Sequence, residues 1–302
     1  MDAGGCRAIC GILEFSPNRV PEDAGWGSGI KDEIKMGPIV FAGRPRRPTL
    51  VLAASLLAAA WGSLLIAQEE KGSAAGDHPL VPAIKLAEEA REVAAQVKDY
   101  GAVLSKRELI GRKLVDQQMR IKCRQEPFSV YLFFEKPSQG REVLYVEGQN
   151  GGKLHVHEGG FAAIAGTFSF LPTDPKVMAE NRYPITEIGL HRMLDVVIEQ
   201  WKRELDDDDI EVRYYPNAKI RQQGCRVIET NHRRQEKDDK FYLTRLYIDK
   251  ESGLPVRLEQ YGWPPGQGAD PPLMEMYMYQ QIQANVGLTD QDFSTKNRQY
   301  KF

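Results

Sequence analysis

The sequence predicts an α+β fold in which one antiparallel β-sheet carries helices on a face. Three observations predict it. Strand-length segments with alternating apolar residues recur in two blocks, an amphipathic helix precedes the first block, and a second helix with an irregular stretch separates the two. Helix and strand do not alternate one for one, so the pattern is not that of a parallel βαβ sheet.

The first helix is predicted over "VPAIKLAEEAREVAAQVKDY", where Ile84, Ala87, Ala90, Val93, Ala94 and Val97 share a face and the charged residues lie mostly opposite. The first strand block follows as "YGAVLSKREL", a Gly-Arg-Lys turn, "QMRIKCRQ", "FSVYLFFEK", "REVLYVEG" and "GKLHVHE", each rich in β-branched and aromatic residues and bounded by Pro, Gly or Asn. From Gly159 to Pro184 the pattern loosens, with a strand at "GTFSFLP" and a helical turn near "DPKVMAENRY". A second amphipathic helix runs from about Thr186, its expected N-cap, to Leu205, with Ile188, Met193, Leu194, Val197, Ile198 and Trp201 at helical spacing. The second block is "IEVRYYP", "CRVIETNH", "FYLTRLYID", "PVRLEQYGW" and "MEMYMYQQI", with a hairpin at "DKESGLP".

Both faces of these strands are partly apolar. On "FSVYLFFEK", Phe128, Val130, Leu132 and Phe134 oppose Tyr131 and Phe133; on "MEMYMYQQ", the methionines oppose Tyr277 and Tyr279. A sheet with solvent on one side alternates cleanly, so something covers the second face: helices, a partner or an apolar ligand. Adaptable Met and large aromatic side chains suit a flexible acyl chain. Tyr131, Phe133, Tyr145, Met276 and Met278 are the expected lining.

The front of the chain is different. Residues 50 to 67, "LVLAASLLAAAWGSLLIA", are free of charge, follow Arg44, Arg46 and Arg47, and end in Ala before a polar stretch. This is the pattern of a secretory signal spanning residues 36–67, cleaved after Ala67, or of an uncleaved membrane anchor. Residues 1–35 lack apolar periodicity and read as a tail or as an over-extended start, with Met36 the true beginning; residues 68–80 read as a linker. The exported part carries 33 Lys+Arg against 36 Asp+Glu, a formal −3. That balance argues against a nucleic-acid partner, which needs a basic face. Of the four cysteines, Cys123 and Cys225 remain after the signal, either as a disulfide closing a loop of about a hundred residues or as two buried thiols.

Three motifs invite chemistry. His155 and His157 are two apart on a strand and share a face with Lys153, the spacing of a metal-binding strand, with Glu158, His191 and His232 as candidate third ligands. "EGQNGG" is a glycine loop, but Gly152-Lys153 leads into a strand and not the helix that a phosphate loop requires, so hairpin geometry explains it. Asp206 to Asp209 lack the spaced ligands and Gly of a calcium loop and read as a solvated turn. No cofactor motif is present.

"LYIDKESGLPVRLEQYGW…MEMYMYQQIQANVGLTDQDF" resembles the C-terminal half of the LolA-like outer-membrane lipoprotein carriers. "KDYGAVLSKRELIGRKL", "MRIKCRQEPFSVYLFFEKPSQGREVLYVEGQNGGKL", "NRYPITEIGL" and "NVGLTDQDFSTKNRQYKF" resemble a bacterial family of exported proteins of unknown function near that group, over residues 81–302. The resemblance implies a curved half-barrel with helices as a lid over an apolar concavity, and a non-enzymatic envelope protein that binds a lipid or lipoprotein acyl chain. An envelope sensor or interaction module with a protein partner is the alternative on the same fold, and a metal-assisted hydrolase built on His155 and His157 is the third.

Overall fold

The computed structural model describes residues 78–235 and 241–302. The expectations for the tail, the signal or anchor and most of the linker lie outside the described residues. Among those described, no helix is long and apolar enough to cross a membrane.

Helix α1 (Leu80–Ala95) is followed by six strands: β1 (Asp99–Ile110), β2 (Lys113–Arg124), β3 (Ser129–Lys136), β4 (Glu142–Val146), β5 (Leu154–His157) and β6 (Thr167–Phe170). A short α2 (Pro175–Met178) and α3 (Leu190–Arg203) lead to β7 (Ile210–Ile220), β8 (Gln223–His232), β9 (Leu243–Asp249), β10 (Pro255–Tyr261) and β11 (Leu273–Ala284). Among the described residues all eleven strands form a single antiparallel, curved sheet in the order β6-β5-β4-β3-β2-β1-β11-β10-β9-β8-β7. It consists of two meanders joined where β1 pairs with β11.

This order has a topological consequence. The chain leaves the sheet at one edge, β6, and re-enters at the other, β7. Ten strand spacings of ~4.8 Å separate those edges along the sheet. The connection must therefore cross a face, and residues 171–209, with α2 and α3, are that crossing. We call the face they cover the near face.

The main core lies there. α1 buries Leu80, Ala83, Ile84, Ala87, Ala90 and Ala94, and α3 buries Leu190, Met193, Leu194, Val197, Ile198 and Trp201. The alanines of α1 let the two helices approach closely, and both share one buried core with Leu104, Ile121, Leu246, Ile248 and Leu258 of the sheet. Each fully buried Leu or Ile contributes ~1.5–3 kcal/mol from apolar burial. The fully buried Trp201 keeps its ring nitrogen satisfied by donating to Thr230 Oγ1 at 3.2 Å.

Three expectations need correction. α3 begins at Leu190 and not near Thr186, because Gly189 stands at φ +136°, a conformation foreign to a helix and rare for any residue with a Cβ; Thr186 sits in a separate 3-10 turn over Ile185–Glu187. The linker ends early: Leu80 is fully buried, and His78 Nε2 hydrogen-bonds the Asp207 carbonyl oxygen at 2.8 Å. The Asp206–Asp209 run is more than a solvated turn, since Asp207 accepts from His232 at 2.9 Å and Asp209 pairs with Arg234 at 2.6 Å. The glycine loop behaves as expected for a hairpin connection, with Gly148, Asn150, Gly151 and Gly152 all at positive φ.

The far face carries two smaller clusters. On the β7–β11 side Met276, Met278, Tyr247, Val256, Val227, Cys225 and Ala218 pack together. On the β2–β5 side Tyr131, Leu144 and Val146 lie under the C-terminal segment, with Phe293, Leu288, Tyr300 and Phe302.

Cys123 and Cys225 are free, buried thiols, so the bridge alternative is overturned. Cys123 belongs to the near-face core and Cys225 to the far-face cluster, with β1, β11, β10 and β9 between their strands. Five spacings of ~4.8 Å far exceed the ~7 Å Cα limit of a disulfide. Burial pushes the Cys123 thiol up to about 12 and that of Cys225 up to about 11.

Candidate functional site

A cavity of about 710 Å³ lies between the near face and the crossing segment. Its size falls within the ~300–1,000 Å³ typical of small-molecule sites. The strands of the first meander supply most of its floor: Met119 from β2, Leu132 and Phe134 from β3, Val143 from β4, Leu154 and Val156 from β5, Phe168 and Phe170 from β6. Val177, Ile185, Ile188, Met193 and Val196 face them from the crossing. These residues recur at every second strand position, the period that places them on one face.

The end of the cavity over β1 and β11 is polar. Register explains the placement: Lys106 stands opposite Gln117 on β2 and Tyr277 on β11, and Glu108 stands opposite Glu275, one pleat beyond the apolar row of Tyr279, Leu104 and Met119. Glu108 and Glu275 are each only 1% exposed. Unpaired carboxylates there would be costly, and each is met by several donors. The Lys106 ammonium lies 3.1 Å from Glu108 and donates to Asn181 Oδ1. The Arg182 backbone N–H donates to Glu108 at 2.9 Å, its guanidinium pairs with Glu275 at 2.7 Å, and the Tyr183 hydroxyl donates to Glu275 at 3.1 Å. The Tyr277 hydroxyl donates to Glu108.

Burial pulls the Lys106 ammonium below the ordinary lysine value, while Glu108 beside it acts the other way. Burial first, then the Glu275 carboxylate, pushes the Tyr183 hydroxyl up to about 12, and burial with Glu275 and Glu108 raises Tyr277. Both phenols thus stay protonated donors at neutral pH. The group ties residues 181–183 of the crossing to the sheet. A second tie stands across the cavity, where Arg141 on the β3–β4 turn reaches Glu158 at 2.8 Å and Glu180 at 2.6 Å. The result is a trough with an apolar floor, a buried hydrogen-bonding end over β1 and β11, and further charged lining from Arg141, Glu158, Lys176, Glu180, Glu187 and Arg192.

None of the five residues expected from the sequence lines this cavity. Tyr131 and Phe133 are on the far face of β3, where Tyr300 stacks on Tyr131 at 3.9 Å between ring centres. Met276 and Met278 are on the far face of β11. Tyr145 is on the near face but packs in the core beside Phe128, with ring centres 6.2 Å apart. The alternation was legible; the face that carries the cavity is the other one. Glu108, Arg182 and Glu275 were not singled out from the sequence, although "NRYPITEIGL" contains the crossing's anchor residues.

His155 and His157 lie across the sheet from the cavity, on the face opposite Leu154 and Val156. His155 hydrogen-bonds Ser169 at 3.2 Å and meets the Phe302 ring edge-on, and His157 hydrogen-bonds Thr167 at 3.3 Å. The three candidate third ligands are engaged elsewhere: Glu158 with Arg141, His191 with Asp195 at 3.0 Å, and His232 with Asp207. Among the described residues no group of three or more His, Cys, Asp or Glu side chains is placed to hold a metal ion.

A family model described as "Protein of unknown function (DUF1571)" matches residues 97–302. A search of curated proteins finds no match. Among solved structures, the lipoprotein LppX from Mycobacterium tuberculosis is similar at 10% identity, with a TM-score of 0.40, over 69% of this chain and 98% of that one. A LolA superfamily protein from Nitrosomonas europaea is similar at 11% identity and a TM-score of 0.27, over 70% and 96%. A DUF1329 family protein from Desulfovibrio piger is similar at 12% identity and 0.35, over 72% and 98%.

Proposed function

This chain belongs to the DUF1571 family, and we propose for it a non-enzymatic role in the cell envelope: it holds a lipid or another acyl-bearing amphiphile in the near-face cavity. The charge-free run at residues 50–67, with arginines before it, supports export or tethering. The observation that carries the reading is the shape and polarity of the cavity. An amphiphile has an apolar tail and a polar head, and the trough over β2–β6 with its charged end over β1 and β11 offers a place for each. Apolar burial of the tail supplies the affinity, about 25 cal/mol per Å² removed from water. The polar groups of that end are held in place by one another, so little ordering cost falls on binding.

The charged groups at the polar end support binding over catalysis. Glu108 and Glu275 are committed to Arg182, Tyr183, Tyr277 and Lys106, and their work is to fasten the roof. The test uses the delipidated full chain titrated with a fluorescent fatty acid, cis-parinaric acid. The expected result is saturable binding of one probe per chain, weakened at least ~10-fold (about 1.4 kcal/mol) in Val156→Trp, whose larger side chain fills the trough. Failure to saturate, or equal affinity in both proteins, contradicts the proposal.

A further inference from the structure

We propose that the loop between β5 and β6 is a membrane-docking element that sets Phe161 and Ile164 into the interfacial layer of a lipid bilayer. These are the two most exposed large apolar side chains among the described residues, 96% and 88% accessible. They belong to a 3-10 turn over Gly160–Ala165. Residues three apart on such a turn eclipse one another, so both side chains project in the same direction. The surrounding sequence is permissive for a bilayer: from Gly159 to Thr173, "GGFAAIAGTFSFLPT", there is no charged residue, and the positions beside the two large side chains are Gly or Ala.

The loop is also firmly rooted. A Cβ at Gly159 would stand 2.1 Å from the Gln139 carbonyl oxygen, so the base of the loop is pressed against the β3–β4 turn as only glycine allows. The loop thus presents two apolar tips to water from a fixed base.

Area selects the occupant. A fully exposed aromatic offers about 150–250 Å² and an isoleucine less, so the two together fall well short of the ~800 Å² per partner that a stable protein interface uses. Shallow insertion into the headgroup region needs no such area, since its strength scales with the apolar surface immersed. Continuity with the cavity points the same way. The loop runs directly into β6, where Phe168 is both 42% exposed and part of the cavity lining, and Phe170 lies deeper in that lining. Along the chain, a charge-free stretch thus runs from the tips into the cavity lining.

The test is made on the full chain carrying Phe161→p-cyanophenylalanine, whose nitrile stretch reports the surroundings of that one position even when the run at 50–67 also binds lipid. On addition of vesicles of phosphatidylethanolamine and phosphatidylglycerol, the band is expected to shift from its hydrated to its apolar frequency, and Ile164→Asp is expected to remove the shift. A band that stays hydrated, whether or not the chain sediments with the vesicles, overturns the proposal. A shift produced by concentrating the protein without vesicles also overturns it, since a second copy would then be the occupant. Val156→Trp leaves the shift in place, so failure of docking and failure of lipid binding in the cavity read out separately.

Discussion

On β3, Leu132 and Phe134 point to one face of the sheet and Tyr131 and Phe133 to the other, and by composition the two pairs are interchangeable. Their surroundings differ. The near-face pair lies under a crossing segment that is held above the sheet by charged ties, which leaves a cavity. The far-face pair lies under the chain's own C-terminal segment, which packs Phe293 and Tyr300 directly onto the strands and adds the Lys122–Asp292 and Arg124–Asp290 ion pairs at 2.7 Å. An apolar sheet face signals that it is covered. Whether the cover is ligand or chain depends on where the polypeptide goes next.

That contrast predicts unequal responses to substitution. The largest loss of stability is expected on the far face: Phe293→Ala removes a side chain only 4% exposed and costs about 3–5 kcal/mol in urea unfolding. Fatty-acid binding by the folded protein should be unchanged; a large fall in affinity would mean that the two faces are not independent. Next comes the roof of the near face. Glu275→Gln breaks the pair with Arg182 and is expected to cost about 2–3 kcal/mol, below the range for losing a buried pair outright because the amide still accepts from Tyr183. Hydrogen exchange should quicken over residues 181–189 and stay unaltered over 288–302.

A smaller effect concerns acid. Burial would raise the Asp292 carboxyl, but hydrogen bonds from Lys122 and Thr289 outweigh it and hold the group below its ordinary value. A carboxylate lowered in the folded state contributes its stability above ~pH 3.9, and loses it as pH falls through the lowered value. A carbon-13 titration of the Asp292 carboxyl should therefore give a midpoint below ~3.9, moving up toward it in Lys122→Met. The smallest response is expected from the cysteines, whose thiols burial pushes up to about 12 at Cys123 and about 11 at Cys225. Iodoacetamide at pH 7 should leave peptides containing either residue unmodified until the protein is unfolded, and peptide mapping without reductant should show no link between them.

The strands and both long helices were legible because their periods are local. So was the parity of β3 and β11, which separates Leu132 from Tyr131 and Tyr277 from Met276. The choice of face was not legible, since the segment that covers Tyr131 reads as polar: "TDQDFSTKNRQYKF" spaces Phe293, Tyr300 and Phe302 without a period, and only tertiary contact gathers them. The anchors of the roof were hidden for a related reason. Glu108 and Glu275 meet Arg182 across 74 and 93 intervening steps of sequence, and no local pattern reports such a meeting. The His155–His157 spacing was a true reading of strand geometry, but the neighbours it acquired are Ser169, Thr167 and Phe302.

The decisive measurement is native mass spectrometry of the wild-type full chain and of Val156→Trp, both purified from membranes. An amphiphile is expected bound one to one in the wild type and absent from the variant. A wild type that carries no lipid, or a variant that carries as much, would contradict lipid binding in the cavity.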